Sequence, residues 1–187
     1  MGIVSEFMLD RDDAVLVVID VQEKLCPAMD ETILAGVTKR IGILQEAAQE
    51  LQIPQIGTVQ YVKGLGETIP ALKARLTAPA IEKMTFSCCG EEPFPEQLRK
   101  LGRKQIIITG MESHVCVLQT VLQLLEAGYI VHVVADAVMS RKKENWRIAL
   151  AMMQQAGAVI TSTEIAIFQL LRVAGSEEFR KLSKLVR

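Results

Sequence analysis

Three things are scarce in this chain. Aromatic residues make up only 4%, so a base-stacking platform for single-stranded nucleic acid has little to be built from. Histidines number two, His114 and His132, and no group of His, Cys and Asp has metal-ligand spacing; the four cysteines, Cys26, Cys88, Cys89 and Cys116, fit no paired CxxC zinc pattern. An excess of charge of either sign is missing too. With 21 basic and 22 acidic side chains the formal net charge is -1, and no basic stripe stands out to attract phosphates. No apolar run reaches bilayer-spanning length, and no charged-then-apolar leader opens the chain. Without a leader a disulfide framework is not expected. The composition reads as a cytoplasmic chain with free thiols, no cofactor, no metal, and neither nucleic acid nor membrane as partner.

What is present is apolar and globular. Half of the 187 residues are hydrophobic and 23% are charged, enough for a sizeable core in one domain spanning 1–187. The opening MGIVSEF has no periodicity. Residues 1–8 are expected to be a disordered or appended start, with Met8, before LDRDD, as the natural first residue.

Residues 14–20, AVLVVID, form a continuous β-branched run ending in an acid, the pattern of a strand buried on both faces. Ile33, Val37, Ile41, Leu44, Ala48 and Leu51 recur at helical spacing over 30–51, and Pro54 ends that helix. IPQIGTVQY is a second strand, PAIEKM (79–84) a short third and KQIIITG a fourth, the third and fourth separated by a proline-entered helix. A helix over 114–127 follows, with Leu118, Val121, Leu122 and Leu125 on its core face. YIVHVVAD is a fifth strand ending at Asp136. Residues 141–156 form a helix with Ile148, Met152 and Ala156 toward the core, AVITST is a sixth strand, and 164–187 is helical. Strand and helix alternate throughout, which predicts a parallel sheet with helices on both faces. Ligands bind such sheets at the carboxyl ends of the strands. Functional weight therefore falls on Asp20, Tyr61, Lys83, the 110–116 turn and Asp136.

With Ser113 as N-cap, Cys116 is the third helical residue, where unpaired backbone N–H groups and the helix dipole would lower a thiol pKa and offer donors to an oxyanion. The alternative is a buried structural cysteine. Cys26, Cys88 and Cys89 lack that placement and read as bystanders, with Cys88–Cys89 in the loop after Lys83. Asp20, in IDVQEK, has neither the DxD arrangement of a phosphate-transferring aspartate nor the glycines of a dinucleotide fold, which leaves a general base or a turn-former. Lys83 is a stabilising cation if it turns inward and a solvated side chain if it does not. His114 sits too close to Cys116 along the helix start to face it, and His132 lies mid-strand.

Taken together, Asp20 in IDVQ, Lys83 in EKMTFS and Cys116 in TGMESHVCV resemble the isochorismatase-like cysteine hydrolase superfamily, nearest to its small isochorismatase-domain proteins. The likeness extends over nearly the whole chain and is also carried by QYVKGLGETIPAL and STEIAIFQLL. It implies a three-layer α/β/α sandwich with a six-stranded parallel, Rossmann-like sheet and a Cys-Asp-Lys triad. Cys116 would be the nucleophile, Asp20 its proton acceptor and Lys83 the residue that orients Asp20. A non-proline cis peptide at Met111–Glu112 would aim the Glu112 and Cys116 N–H groups at one point as an oxyanion hole. Nicotinamidases of the superfamily bind a metal through histidines after the second strand, but TVQYVKGLGE contains none. Isochorismate hydrolases lack the nucleophilic cysteine, so Cys116 favours acyl over ether chemistry. The implied function is metal-free hydrolysis of a small amide or similar acyl substrate, in a pocket lined by Gln22, Tyr61, Phe86, Met111 and Ser113. A homodimer or homotetramer is expected. A binding or scaffold member of the same fold without useful turnover, and a redox enzyme pairing Cys116 with Cys88 or Cys89, are the competing readings.

Overall fold

The computed structural model describes residues 2–186. Six strands, β1 (Ala14–Ile19), β2 (Gln55–Gln60), β3 (Ile81–Lys83), β4 (Gln105–Met111), β5 (Ile130–Met139) and β6 (Val159–Thr161), pair side by side in the order β3-β2-β1-β4-β5-β6. Every pairing is parallel. Nine α-helices lie among the described residues: α1 (Ile3–Phe7), α2 (Glu31–Glu50), α3 (Val62–Leu65), α4 (Pro70–Lys73), α5 (Pro93–Leu101), α6 (Leu118–Glu126), α7 (Lys143–Gln155), α8 (Thr163–Leu171) and α9 (Glu177–Leu182).

The side-chain alternation of β1 sets the layers. Leu16 and Val18 pack with Ile41 of α2 and Ile167 of α8, whereas Val15, Val17 and Ile19 pack with Val121 of α6 and Met153 of α7. Because both faces are covered, the strand carries apolar side chains at every position. The result is the α/β/α sandwich that the alternating pattern predicts. Entry to α2 is fixed by Asp30, whose carboxylate accepts from the Ile33 N–H at 3.0 Å.

The start of the chain is held against β4. Residues 3–7 form α1, and the Gln105 amide ties the segment down by donating to the carbonyls of Ser5 (3.1 Å) and Met8 (2.9 Å). β5 does not end at Asp136 but continues to Met139. On α7, Ile148 and Met152 are 43% and 47% exposed and Ala156 faces solvent, while Ala149 and Met153 are buried. That helix carries two apolar stripes one residue, or about 100°, apart, and periodicity alone cannot rank them. On α6, likewise, Leu122 is exposed, while Val121 and Leu124 are the fully buried apolar residues.

Candidate active site

β1 and β4 are neighbours at the centre of the sheet although far apart in the chain, so their carboxyl ends mark the point where strand order reverses. The chain leaves β1 through Asp20, in a left-handed conformation at φ 50°. Beside it, β4 passes through Gly110 at φ 111°, where a Cβ would lie 2.0 Å from the Ile19 carbonyl oxygen. Only glycine lets the two backbones approach this closely. The Met111–Glu112 peptide that follows is cis.

Asp20 and Lys83 meet here, both buried, with Lys83 Nζ 2.7 Å from Asp20 Oδ2. β3 delivers the lysine because its last residue lies in register with Gln60, the last residue of β2. The same ammonium donates to Gln60 Oε1 at 2.7 Å, Phe86 O at 2.9 Å and Thr85 O at 3.3 Å. Burial alone would pull the lysine pKa down, but the adjacent Asp20 charge and hydrogen bond hold it above its ordinary value. The other carboxylate oxygen, Asp20 Oδ1, accepts from Thr58 Oγ1 at 2.8 Å.

Cys116 lies in a single π-helical turn, Ser113–Val117, that precedes α6. Ser113 therefore does not cap an α-helix. It opens the π turn, and its buried hydroxyl has no hydrogen-bond partner among the described residues. The Cys116 side chain is 7% exposed and lies close enough to the Asp20 carboxylate to feel its charge. Its pKa is raised rather than lowered, first by burial and then by the Asp20 charge, with Lys83 opposing. Here desolvation and a neighbouring anion outweigh any help from the helix start, so the resting sulfur is protonated.

Other sequence candidates scatter. Gln22 is not free to bind a ligand: its amide donates to Gln60 O (2.9 Å) and Gly66 O (2.6 Å) and accepts from Gln60 N–H (2.8 Å), stapling the end of β2 to the loop beyond. Met111 is a core residue on the α2 face, across the sheet from Cys116. Tyr61 and Phe86 are exposed, each just beyond a strand end. The Glu112 carboxylate accepts from the N–H and Nε of Arg141. His114 Nδ1 lies 3.0 Å from Ser140 Oγ, and His132 is buried in β5. Asp136 pairs with Arg40 and holds the start of α8, away from Cys116.

Thr58, Gln60, Thr120 and Cys88 escaped the sequence reading. Cys88 is buried beside the ion pair. Its thiol donates to Thr58 Oγ1 at 3.7 Å, and burial together with the Asp20 charge pushes it up to about 12. A usable signal was the polar pair Thr58 and Gln60, two residues apart on the face of β2 that also carries Ile56.

At the carboxyl ends of the strands an acid and a lysine thus pair, with a cysteine close enough to feel both charges. The isochorismatase-domain family model matches residues 14–165. The chain belongs to the isochorismatase family. A secreted isochorismatase effector of Phytophthora sojae is 41% identical over 185 residues, covering 93% of this chain and 84% of that protein. Among solved structures, the MAR1 ribonuclease from Caenorhabditis elegans superposes with a TM-score of 0.89 at 38% identity, over 96% of this chain and 92% of its own. The YcaC gene product of Escherichia coli, described as an octameric hydrolase of unknown specificity, gives 0.88 at 26% identity, over 95% and 90% of the two chains. Within this isochorismatase-family chain no helix of the described residues is long and apolar enough to cross a membrane.

Proposed function

We propose that the protein is a metal-independent cysteine hydrolase acting on small amides or related acyl compounds. The observation that carries this reading is the buried Asp20–Lys83 ion pair with Cys116 close enough to feel both charges. A protonated thiol beside a carboxylate is a nucleophile stored with its base. Cys116 Sγ attacks the carbonyl carbon while its proton passes to Asp20, and the carbonyl electron pair moves onto oxygen. The N–H groups of Glu112 and Cys116, at the unpaired start of the π turn, receive that oxyanion. Collapse breaks the C–N bond, with the Asp20 proton going to the departing amine. Water, deprotonated by Asp20, then cleaves the thioester and returns the proton to sulfur. Lys83 orients the Asp20 carboxylate and offsets charge in the site.

Ser113, with its unpartnered hydroxyl, and Tyr61 and Phe86 at the rim are the residues proposed to meet the substrate. The structural neighbour named a ribonuclease suggests phosphodiester cleavage instead, but the one ammonium at this centre, Lys83, is buried and fully paired. A phosphate-seeking site presents free cations. The apolar stripe of α7 and the octameric neighbour support self-association, proposed as a homodimer or homotetramer.

The test is a panel of small amides assayed with wild type and Cys116→Ala, alongside iodoacetamide labelling resolved by peptide mass spectrometry. Turnover that vanishes in the variant, with Cys116 labelled ahead of Cys26, Cys88 and Cys89 near neutral pH, is the expected result. Turnover that survives Cys116→Ala overturns the mechanism. A folded wild type that neither turns over nor labels selectively favours the scaffold reading.

A further inference from the structure

Besides the acid, the lysine and the cysteine, the centre contains a chain of hydrogen bonds that the mechanism does not use and that runs from Asp20 round to Cys116. Asp20 Oδ2 is held by Lys83 and Oδ1 by the Thr58 hydroxyl at 2.8 Å. The Thr58 oxygen in turn receives the Cys88 thiol at 3.7 Å. The Cys88 N–H donates to Thr120 Oγ1 at 3.0 Å, and Thr120 Oγ1 donates to the Cys116 carbonyl at 2.7 Å. The two ends then meet, because Cys116 lies close enough to Asp20 to feel its charge. Thr58, Cys88 and Thr120 are all buried, Cys88 and Thr120 completely.

Five separate elements meet in this ring: the end of β1, β2, the turn after β3, the π turn and α6. A threonine hydroxyl has one proton, and at Thr58 it goes to the carboxylate, which fixes the direction in which the hydroxyl can accept. Valine would fill the same space at this strand position. The hydroxyl therefore contributes a hydrogen bond that packing does not require.

We propose that Thr58 is a positioning residue for the Asp20 carboxylate, and that Cys88 and Thr120 extend its hold to the backbone of Cys116, so that base and nucleophile are kept in register by one ring. This rests on the reading of Cys116 and Asp20 as nucleophile and base, but its signature can be measured without a substrate. Losing a donor makes a carboxylate easier to protonate. Asp20 then stops accepting the thiol proton at a higher pH, and the acid limb of Cys116 alkylation moves upward.

The experiment measures the pH profile of iodoacetamide labelling at Cys116 in wild type, Thr58→Val, Thr58→Ser and Thr120→Val. Thr58→Val is expected to slow labelling about tenfold near neutral pH and move the acid limb up by roughly half a unit or more. Thr58→Ser restores both to within about twofold of wild type, because the hydroxyl returns. Thr120→Val lowers the rate by a smaller factor, about threefold, and leaves the limb in place. An unchanged profile in Thr58→Val, or a serine variant as impaired as the valine one, overturns the proposal. If Thr58→Val does not fold, Cys88→Ala replaces it, with an expected limb shift in the same direction and an unchanged limb as the contrary result. A limb that moves between variants while wild-type Cys116 labels no faster than Cys89 upholds the ring and removes the hydrolase reading.

Discussion

Asp20 and Asp136 look alike in the sequence: each follows a β-branched run, and each pairs with a basic side chain. In the structure they are opposites. Asp20 stands at the central reversal of the sheet and is completely buried with Lys83, whereas Asp136 lies part-way along β5, 34% exposed at the side chain, against an Arg40 that is 43% exposed. Asp136 has a bland task. Its Oδ1 accepts from the Thr163 N–H at 2.8 Å and hydroxyl at 3.0 Å, fixing the first turn of α8. The difference teaches that an acid near a strand end acquires chemistry from the neighbouring strand. β1 lies between β2 and β4, and β2 brings Lys83 within reach through β3.

The sharpest way to break the comparison is to remove each cation. Lys83→Met leaves a buried carboxylate without its partner and should cost about 3–5 kcal/mol of stability, together with selective labelling of Cys116. Arg40→Met should cost about 1 kcal/mol or less, because that pair is solvated. Urea denaturation midpoints distinguish the two, and equal losses would mean that burial is not what separates the sites.

A second test leaves both ion pairs intact and moves the strand beside one of them. Gly110→Ala forces a Cβ against the Ile19 carbonyl and should destabilise the chain by about 3 kcal/mol, displacing Asp20 while leaving the Asp136 contacts unchanged. Amide hydrogen exchange would show the loosening at β1 and β4 before β6.

The contrast extends to a buried titrating group without a partner. Burial lowers His132 from 6.5 to about 4, as expected of an imidazole kept neutral. Because the folded value is depressed, its stabilisation is present above the unfolded pKa and lost as pH falls through the folded one, a window from about 6.5 down to about 4. The loss should approach 3 kcal/mol by the bottom of that window, and His132→Leu should flatten this part of the curve. Lys83 has the opposite sign. Its raised value keeps the pair's contribution intact below about pH 10.4, with loss only in more alkaline solution. The smallest effect is reserved for Asp136→Asn, which should weaken the start of α8 by about 1 kcal/mol and leave Cys116 labelling unchanged.

The alternation of apolar strands with amphipathic helices made the layers legible, because a strand covered on both faces must be apolar at every position. Asp20, Lys83 and Cys116 were legible as strand-end and helix-start residues carried by a family likeness. Their contact was not, since spacing along the chain does not say which strands are neighbours. Thr58, Cys88 and Thr120 stayed hidden because isolated polar residues in a strand, a turn and a helix look ordinary until the fold closes them into a ring. Gln22 and Met111 were misassigned for a related reason: position near a strand end does not reveal whether a side chain points to the core, to a staple or to a ligand. The two stripes of α7 differ by one residue, and only packing chose between them.

The protonated state of Cys116 has a consequence for how the protein endures. Peroxides in solution attack thiolates, and burial beside the Asp20 charge leaves little thiolate at rest. Under the proposed mechanism the sulfur is thus spared indiscriminate oxidation, yet it reacts with a carbonyl or an alkylating amide that settles against it while Asp20 takes the proton. Chemical selectivity here is a matter of timing: reactivity arrives with the electrophile that fills the site.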